Sequence, residues 1–280
     1  MKEFLKAAFR ALVPLSVRKR LAVWVHHQDR LTATRRSWWS QEFVRDLAER
    51  NINEYHKFLW ANHLSYAETY EIASRFGREN MKQSRLMFFS DLNQQLASRS
   101  VHAGDVTSVF EVGCSLGYQL RYIETDLFPS AQVMEGVDID AYAIQSGSQY
   151  LNQVGSKVRL HCEDMEWLEH VIGDKRYDVT ICTGVLMYLR EEDARRIVDT
   201  LLKHTRLMIG FSGLAYPDGD NSQLRHSVPR ESDQTFIHNI DAMVLRAGGT
   251  IAARRWEGSK VVDGNTIYFV FATSAAATTA

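Results

Sequence analysis

The sequence predicts an α/β protein: a mostly parallel sheet with helices on both faces, preceded by a helical N-terminal region. Three observations carry that reading. Residues 1–100 repeat their apolar side chains at three-and-four spacing, the period of helices that bury one face. After Gly104, five short β-branched runs alternate with helical patterns, as in parallel strands joined by helical crossovers. At the end, Thr250–Trp256 and Thr266–Ala272 are separated only by the turn-rich EGSKVVDGN stretch. A parallel crossover needs about a dozen residues or more, so this pair is an antiparallel hairpin.

The helical region opens with Phe4, Leu5, Ala8, Phe9 and Leu12 on one face and Lys2, Lys6 and Arg10 on another. Pro14 ends that element, because it lacks the N–H that would continue the ladder. Ser16 is placed to cap a second helix carrying Val17, Leu21, Trp24 and Val25. Further helical patterns cover Trp38–Arg50, Asn53–Phe76 and Met81–Arg99. The five strand runs are Ser108–Val112, Gln132–Val137, Lys157–Cys162, Asp178–Thr183 and Arg206–Phe211. The chain therefore divides into a helical region over 1–100 and an α/β domain over 101–273. Within the second, residues 212–239 form a long insertion of the kind that often serves as a lid, and the SAAATTA tail over 274–280 reads as disordered.

The chain has 280 residues, 45% of them hydrophobic, with 33 Lys+Arg against 34 Asp+Glu and a net charge of −1. These are the proportions of a soluble globular protein, and they exclude collagen-like and low-complexity architectures. Cys114, Cys162 and Cys182 are far apart; they make neither a disulfide framework nor a C-x-x-C metal pair, and a reducing cytoplasm is the simplest setting. No apolar run is long enough for a membrane-spanning helix, and Lys6 and Arg10 interrupt any signal-peptide core. The neutral total hides an asymmetry. Residues 1–36 hold nine Lys+Arg against two Asp+Glu, a net of +7 that leaves −8 for residues 37–280. The basic helix pair over residues 1–25 is thus a candidate peripheral contact with the inner face of an anionic membrane, or else a brace packed on the protein or on a second subunit of a homo-oligomer.

The sharpest motif is VFEVGCSLGYQL, residues 109–120. A strand ends in Glu111, the loop Gly113-Cys114-Ser115-Leu116-Gly117 follows, and a helix begins. Glycines at both ends let the backbone turn tightly and approach a ligand. A dinucleotide fingerprint would need G-x-G-x-x-G, but Ser115 fills its second glycine position, so the loop reads E-x-G-x-x-x-G. The next strand ends in GVDID, residues 136–140. Asp138 stands there at the carboxyl edge, where a carboxylate can accept two hydrogen bonds from ribose hydroxyls. Asp140, just before Ala141, suits a helix cap. The third strand ends in HCEDM, residues 161–165, and the fourth leads into Thr183 and Gly184. Four consecutive strand ends are polar or glycine-rich, all on one edge of the sheet.

On these motifs the region from about Asp105 to Ala272 resembles a class I S-adenosylmethionine-dependent methyltransferase. The resemblance implies a Rossmann-like doubly wound sheet of order 3-2-1-4-5-7-6 with strand seven antiparallel, in keeping with the terminal hairpin. It implies S-adenosylmethionine as cofactor. It further implies that Glu111, Gly113, Cys114, Ser115 and Gly117 hold the methionine part, that Asp138 and the adjoining Ile139 bind ribose, and that Asp164 and Met165 contact adenine. Thr183 would then form the lip beside the sulfonium. The helical N-terminus lies outside the match.

Methyl transfer is an in-line displacement whose main demand is alignment, and a hydroxyl acceptor also needs a base. The insertion over 212–239 supplies His226 or His238 as that base, with Asp233 to orient one of them and Arg230 to meet substrate. Tyr188 follows strand four, either against substrate or in the core. In the helical region His56, Trp60, His63, Tyr66 and Tyr70 recur near three-and-four spacing, as core or as a cap with polar tips. Arg85 suits a bidentate grip on the cofactor's methionine carboxylate. No clustered ligand set for a metal appears. The expected activity is methylation, most simply O-methylation, of a small-molecule or glycan acceptor. Two other readings stand beside it. One is an RNA-modifying enzyme gripping through the basic segment; base N-methylation is disfavoured, because Thr183-Gly184-Val185-Leu186 replaces the Asn/Asp-Pro-Pro-aromatic motif of such enzymes. The other is a non-catalytic cofactor-binding scaffold.

Overall fold

The computed structural model describes residues 8–28, 30–64 and 72–274. The chain forms two compact units, Met1–Glu71 with Asp140–Tyr142, and Ile72–Ile139 with Ala143–Ala280. Tyr66, Tyr70, Lys2, Lys6 and the tail from 275 onward lie outside the described residues.

The first unit is built on helices Leu15–His26, Ala33–Arg50 and Ile52–Ala61. Arg18 meets Asp46, and Ser40 Oγ donates to the Ala22 carbonyl at 2.9 Å, so the first two helices run antiparallel. Arg18 is only 1% exposed. Its guanidinium spends its donors on both Asp46 oxygens and on the Val13 and Phe43 carbonyls, which is what makes a buried charge tolerable.

Two sequence expectations need correction here. Pro14, not Ser16, stands at the N-cap of the first of these helices, with no side-chain cap; proline's fixed φ suits a helix entry without one. The helix expected over Asn53–Phe76 begins at Ile52, capped by Asn51, and stops at Ala61. His63 then takes a left-handed backbone, φ 57°, so the aromatic stripe does not continue on one helical face. Among the described residues, no helix is long and apolar enough to cross a membrane.

The second unit holds a seven-stranded sheet, β1 Ser108–Val112, β2 Val133–Asp138, β3 Val158–Cys162, β4 Tyr177–Thr183, β5 Thr205–Gly213, β8 Thr250–Val262 and β9 Asn265–Thr273. Its order is β3-β2-β1-β4-β5-β9-β8. The first five strands pair in parallel, whereas β9 is antiparallel to both β5 and β8. Counted within this sheet, the order is the expected 3-2-1-4-5-7-6.

Strands β1 and β4 are buried along their whole length, as expected for central parallel strands covered on both faces. Alternate residues feed two cores. Phe110, Val112 and Cys182 join Ile197, Leu201 and Val244 on one face; Val109, Val179 and Ile181 join Phe88, Leu92 and Leu120 on the other. Helix Gln83–Ala97 belongs to this second unit because Phe88, Phe89, Leu92 and Leu96 pack on the sheet. Helix Glu191–Lys203 starts with Glu191, Glu192 and Asp193 and buries Ala194, Ile197, Val198 and Leu201. Its acidic first turn matches the helix dipole.

The terminal hairpin is longer than its sequence suggested. EGSKVV is strand, bulged between Trp256 and Val261, and the turn is only Asp263-Gly264. Both turn residues have positive φ, 52° and 84°, the conformation that Asp-Gly favours in a two-residue hairpin turn.

Residues 212–239 form no open loop. β6 Val228–Arg230 and β7 Thr235–Ile237 make a small antiparallel pair. Fully buried Asn221 ties the segment together, donating to the Leu214 and His238 carbonyls and accepting from Tyr216 N and Trp256 Nε1. Asp220 is gripped by both Arg254 terminal nitrogens, at 2.9 and 2.6 Å.

Candidate active site

The chain order of the sheet reverses between β1 and β4, the switch point at which open α/β sheets bind ligands beyond their carboxyl ends. Loop 113–117 lies at that point. Gly113 N and Cys114 N both donate to the Val137 carbonyl, at 2.8 and 3.2 Å. Gly113, Ser115 and Gly117 all have positive φ, 75°, 50° and 79°. A Cβ on Gly113 would sit 2.2 Å from Val185 Cγ2, so the loop lies hard against the turn after β4 and only glycine fits. Cys114 is wholly buried, and burial pushes its thiol well up. Only its backbone belongs to the loop edge.

Glu111 is the most unusual group on this edge. It is 0% exposed, and desolvation pushes its carboxyl up to about 8, with Arg85 opposing the rise and Asp138 adding to it. One oxygen accepts from Gln119 Nε2 at 2.7 Å. The other, Oε2, has no hydrogen-bond partner, and neither has Gln119 Oε1. Buried polar atoms are almost always paired, so two orphans side by side mark a place made for something else. The Gln119 amide also lies 3.3 Å from Thr183 Oγ1, which links β1 to the end of β4.

Asp138 ends β2 and accepts from Ser115 N at 2.8 Å. Asp164, beyond β3, accepts from Glu166 N at 3.0 Å and caps the turn Met165–Trp167. Met165 packs partly buried against one apolar core, and half-buried Ile139 follows Asp138. Arg85, on helix Gln83–Ala97, reaches the β4–β5 edge. Its Nη1 is 3.4 Å from Ser212 Oγ, and its Nη2 is 3.3 Å from where a Gly184 Cβ would be. Glu111, Asp138, Thr183, Gly184 and Arg85 are therefore brought to one edge of the sheet.

The acceptor-side candidates are disposed differently. His238 is 3% exposed. Its Nε2 donates to the Leu186 carbonyl at 2.8 Å, and Ser227 Oγ lies 2.6 Å from Nδ1. Donation through Nε2 makes Nδ1 the acceptor of the Ser227 hydroxyl proton. Burial holds the ring below its ordinary pKa, opposed by Leu186 and Glu191, and both nitrogens are engaged. His238 stands directly ahead of helix Ile240–Arg246, which Asn239 caps.

His226 has an 85% exposed side chain, with Nδ1 3.8 Å from Glu191 Oε2. Asp233 orients neither histidine. It pairs with Arg230 through both oxygens and with Thr235 Oγ1, because the β6–β7 turn brings Arg230 and Asp233 together. Half-buried Tyr188 has its phenol pushed up to about 12 by burial, with Asp233 adding and Arg230 and Arg85 opposing. Those charges therefore surround it.

His56, Trp60 and His63 belong to the first unit. His56 is 5% exposed, edge-on to Tyr55, and half-buried Trp60 lies one turn further along the same helix. His63 Nδ1 meets Asp140 Oδ2 at 2.5 Å within that unit.

Sequence reading missed Gln119, Ser212, Glu191 and Ser227. Only Gln119 left a signal, as an amide two residues after Gly117 on an otherwise buried helical turn.

Residues 110–206 match the family model described as "Methyltransferase domain". No curated protein matches the chain. Among solved structures, the plantazolicin methyltransferase in complex with SAH is 16% identical, with a TM-score of 0.54 over 84% of this chain and 98% of its own. A S-adenosylmethionine-dependent methyltransferase from Clostridium acetobutylicum ATCC 824 is 11% identical, with a TM-score of 0.50 over 72% of this chain and 96% of its own. Magnesium protoporphyrin IX methyltransferase from Synechocystis PCC 6803 with bound SAH is 15% identical, with a TM-score of 0.50 over 84% and 99%. Taken with the strand order, the match over residues 110–206 supports a class I methyltransferase fold for the second unit, with S-adenosylmethionine as the cofactor.

Proposed function

We propose that this chain transfers a methyl group from S-adenosylmethionine to an oxygen of a small-molecule or glycan acceptor. The observation that carries the reading is the orphaned Glu111 Oε2 beside Gln119 Oε1: two buried acceptors at the carboxyl edge of β1 suit an ammonium group. The bound cofactor supplies a methyl group activated on a sulfonium.

This chain's residues divide the remaining work. Glu111 and Gln119 accept from the methionine ammonium, and Arg85 takes the carboxylate beside it, since a guanidinium pairs bidentately with a carboxylate. Asp138 and Ile139 meet the ribose, Asp164 and Met165 the adenine, and loop 113–117 lets backbone approach the ligand. Thr183 and Gly184 form the rim at which the acceptor arrives, with Tyr188 and Arg230 on its acceptor side.

His226 is the base of this reading. Its Nδ1 lies 3.8 Å from Glu191 Oε2, a carboxyl held below the ordinary range, against the cost of burial, by the Ser227 N–H, Arg195 and His226. His238 holds the turn after β4 in place through Leu186 and is a positioning residue. The partner side of the reading is a soluble acceptor, with the basic N-terminal region serving attachment to an anionic membrane, argued next.

Calorimetry with S-adenosylmethionine and with NAD tests the cofactor half; binding of NAD alone would overturn it. Transfer of labelled methyl groups to the small-molecule fraction of a cell extract, followed by alkali, tests the acceptor half. Ether products keep the label. Release of all label as methanol, or recovery only in methylamines, would sink O-methylation of a hydroxyl.

A further inference from the structure

The first unit carries an exposed aromatic track on helix Ala33–Arg50. Trp38 and Trp39 are 46% and 39% exposed on helix Ala33–Arg50. Their rings meet at 4.7 Å, Trp39 meets Phe43 at 5.7 Å, and Phe43 meets Phe9 at 5.4 Å. Leu12, one helical turn beyond Phe9, is 82% exposed. Four rings thus form a continuous line of contacts, half-buried at Phe9 and Phe43 and exposed at Trp38 and Trp39, with exposed Leu12 on the same helix as Phe9. Isolated exposed apolar residues are ordinary, but a contiguous line of them marks an interaction surface.

Charge selects the partner. Arg35 lies three and four residues before Trp38 and Trp39, on the same side of the helix. Arg20, Arg30 and Arg35 are exposed. Arg10, Arg18 and Lys19 are each paired with a carboxylate. Among the described residues, Arg35 is thus an exposed positive charge beside the aromatic surface, with further exposed arginines at Arg20 and Arg30 in the same unit. Tryptophan prefers the depth of lipid headgroups, where its ring is buried and its N–H stays wet, and arginine prefers the anionic surface above it.

We propose that the first unit docks on an anionic lipid bilayer through Trp38, Trp39, Phe43, Phe9 and Leu12, with Arg35 at the headgroups. The contact is peripheral and reversible, since no described helix can cross a membrane.

The test is flotation of the full chain with phosphatidylcholine vesicles, with and without phosphatidylglycerol, at low and high salt. Binding is expected to require the anionic lipid, to weaken with salt, and to shift tryptophan emission to the blue. Arg35→Glu removes one attraction and adds one repulsion; at about fivefold per charge, it should weaken binding by tenfold or more. The double variant W38A/W39A should abolish it while cofactor affinity and circular dichroism stay unchanged, because both rings are half out of the core. Three results would overturn the proposal. One is no flotation at low salt, and another is flotation unaffected by W38A/W39A. The third is a concentration-dependent dimer that W38A/W39A dissolves, which would make a second copy the occupant.

Discussion

Two sets of buried carboxylates in one sheet show how the same residue type is put to opposite uses. Toward the entry edge of the strands, Glu135 holds Lys175 at 2.8 and 3.0 Å and the Tyr177 hydroxyl. Asp178 accepts from Thr107, Ser108 and Arg206. Both stay below the ordinary carboxylate range, since these donors outweigh the desolvation that is the largest single influence on each. At the exit edge, Glu111 is buried more deeply still, has one donor, Gln119, and is pushed up to about 8. Satisfied acids rivet the sheet. The unsatisfied one keeps its hydrogen-bonding capacity for a ligand, at a cost in stability.

The contrast is broken most forcefully at Asp178. Asp178→Ala leaves the buried Ser108 donors without their acceptor, at about 1–3 kcal/mol for an unsatisfied buried group, and removes the partner of the half-exposed Arg206. The midpoint of urea unfolding should fall accordingly, while cofactor affinity of the folded fraction is unchanged. A parallel loss of affinity would mean that the two edges do not act separately.

Glu111→Gln should do the reverse. Cofactor affinity should fall by about ten- to a hundredfold, the worth of a charged hydrogen bond, while stability rises. The sign follows from linkage. Glu111 is protonated in the folded chain up to about pH 8 but ionises near its ordinary value when unfolded, so it lowers stability progressively as pH rises from about 4.5 to 8. The gain in melting temperature of Glu111→Gln should therefore grow over that window and level off above it. Binding an ammonium ionises the carboxyl, so wild-type affinity should rise with pH toward 8, with proton release visible by calorimetry in buffers of different ionisation enthalpy. A flat affinity profile would remove the ammonium role. Arg85→Ala should cost about tenfold in cofactor affinity by equilibrium binding, without the pH signature of Glu111; unchanged affinity would assign Arg85 to another ligand.

The sheet and its cofactor edge were largely legible in the sequence, because a buried parallel strand is written as a contiguous apolar run. A glutamate at the end of such a run, as at Glu111, has no packing reason to be there. The Asp263-Gly264 turn is legible too, but the polar residues around it hide its limits, since an exposed edge strand such as Lys260–Val262 carries no apolar signature. The acceptor side was hidden for a different reason. Whether His226, His238 or Asp233 is available depends on hydrogen bonds made by residues distant in sequence: Leu186 and Ser227 claim His238, and Arg230 claims Asp233. Residue type and spacing do not encode that allocation. The stop of helix Ile52–Ala61 was hidden similarly, because His63 adopts a positive φ that histidine only sometimes takes.

The two histidines of the insertion give the finest form of the comparison, one committed and one exposed. His238 is held below its ordinary pKa by burial, so between its folded value and about 6.5 the unfolded chain binds a proton that the folded chain does not. Its share of stability is present above about pH 6.5 and is lost as pH falls through that range. His238→Gln removes the titrating group and can still donate to the Leu186 carbonyl; stability below pH 6.5 should decline less steeply, with kcat changed no more than a few-fold. His226→Ala touches neither core nor turn, so its melting curve should overlay the wild type while kcat falls by about a hundredfold or more, the usual worth of a general base. The pair separates position from chemistry. If His226→Ala keeps full turnover, the acceptor reaches the rim already ionised or meets a base elsewhere. If instead His238→Gln loses turnover at unchanged stability, the buried ring takes part in catalysis despite its two engaged nitrogens.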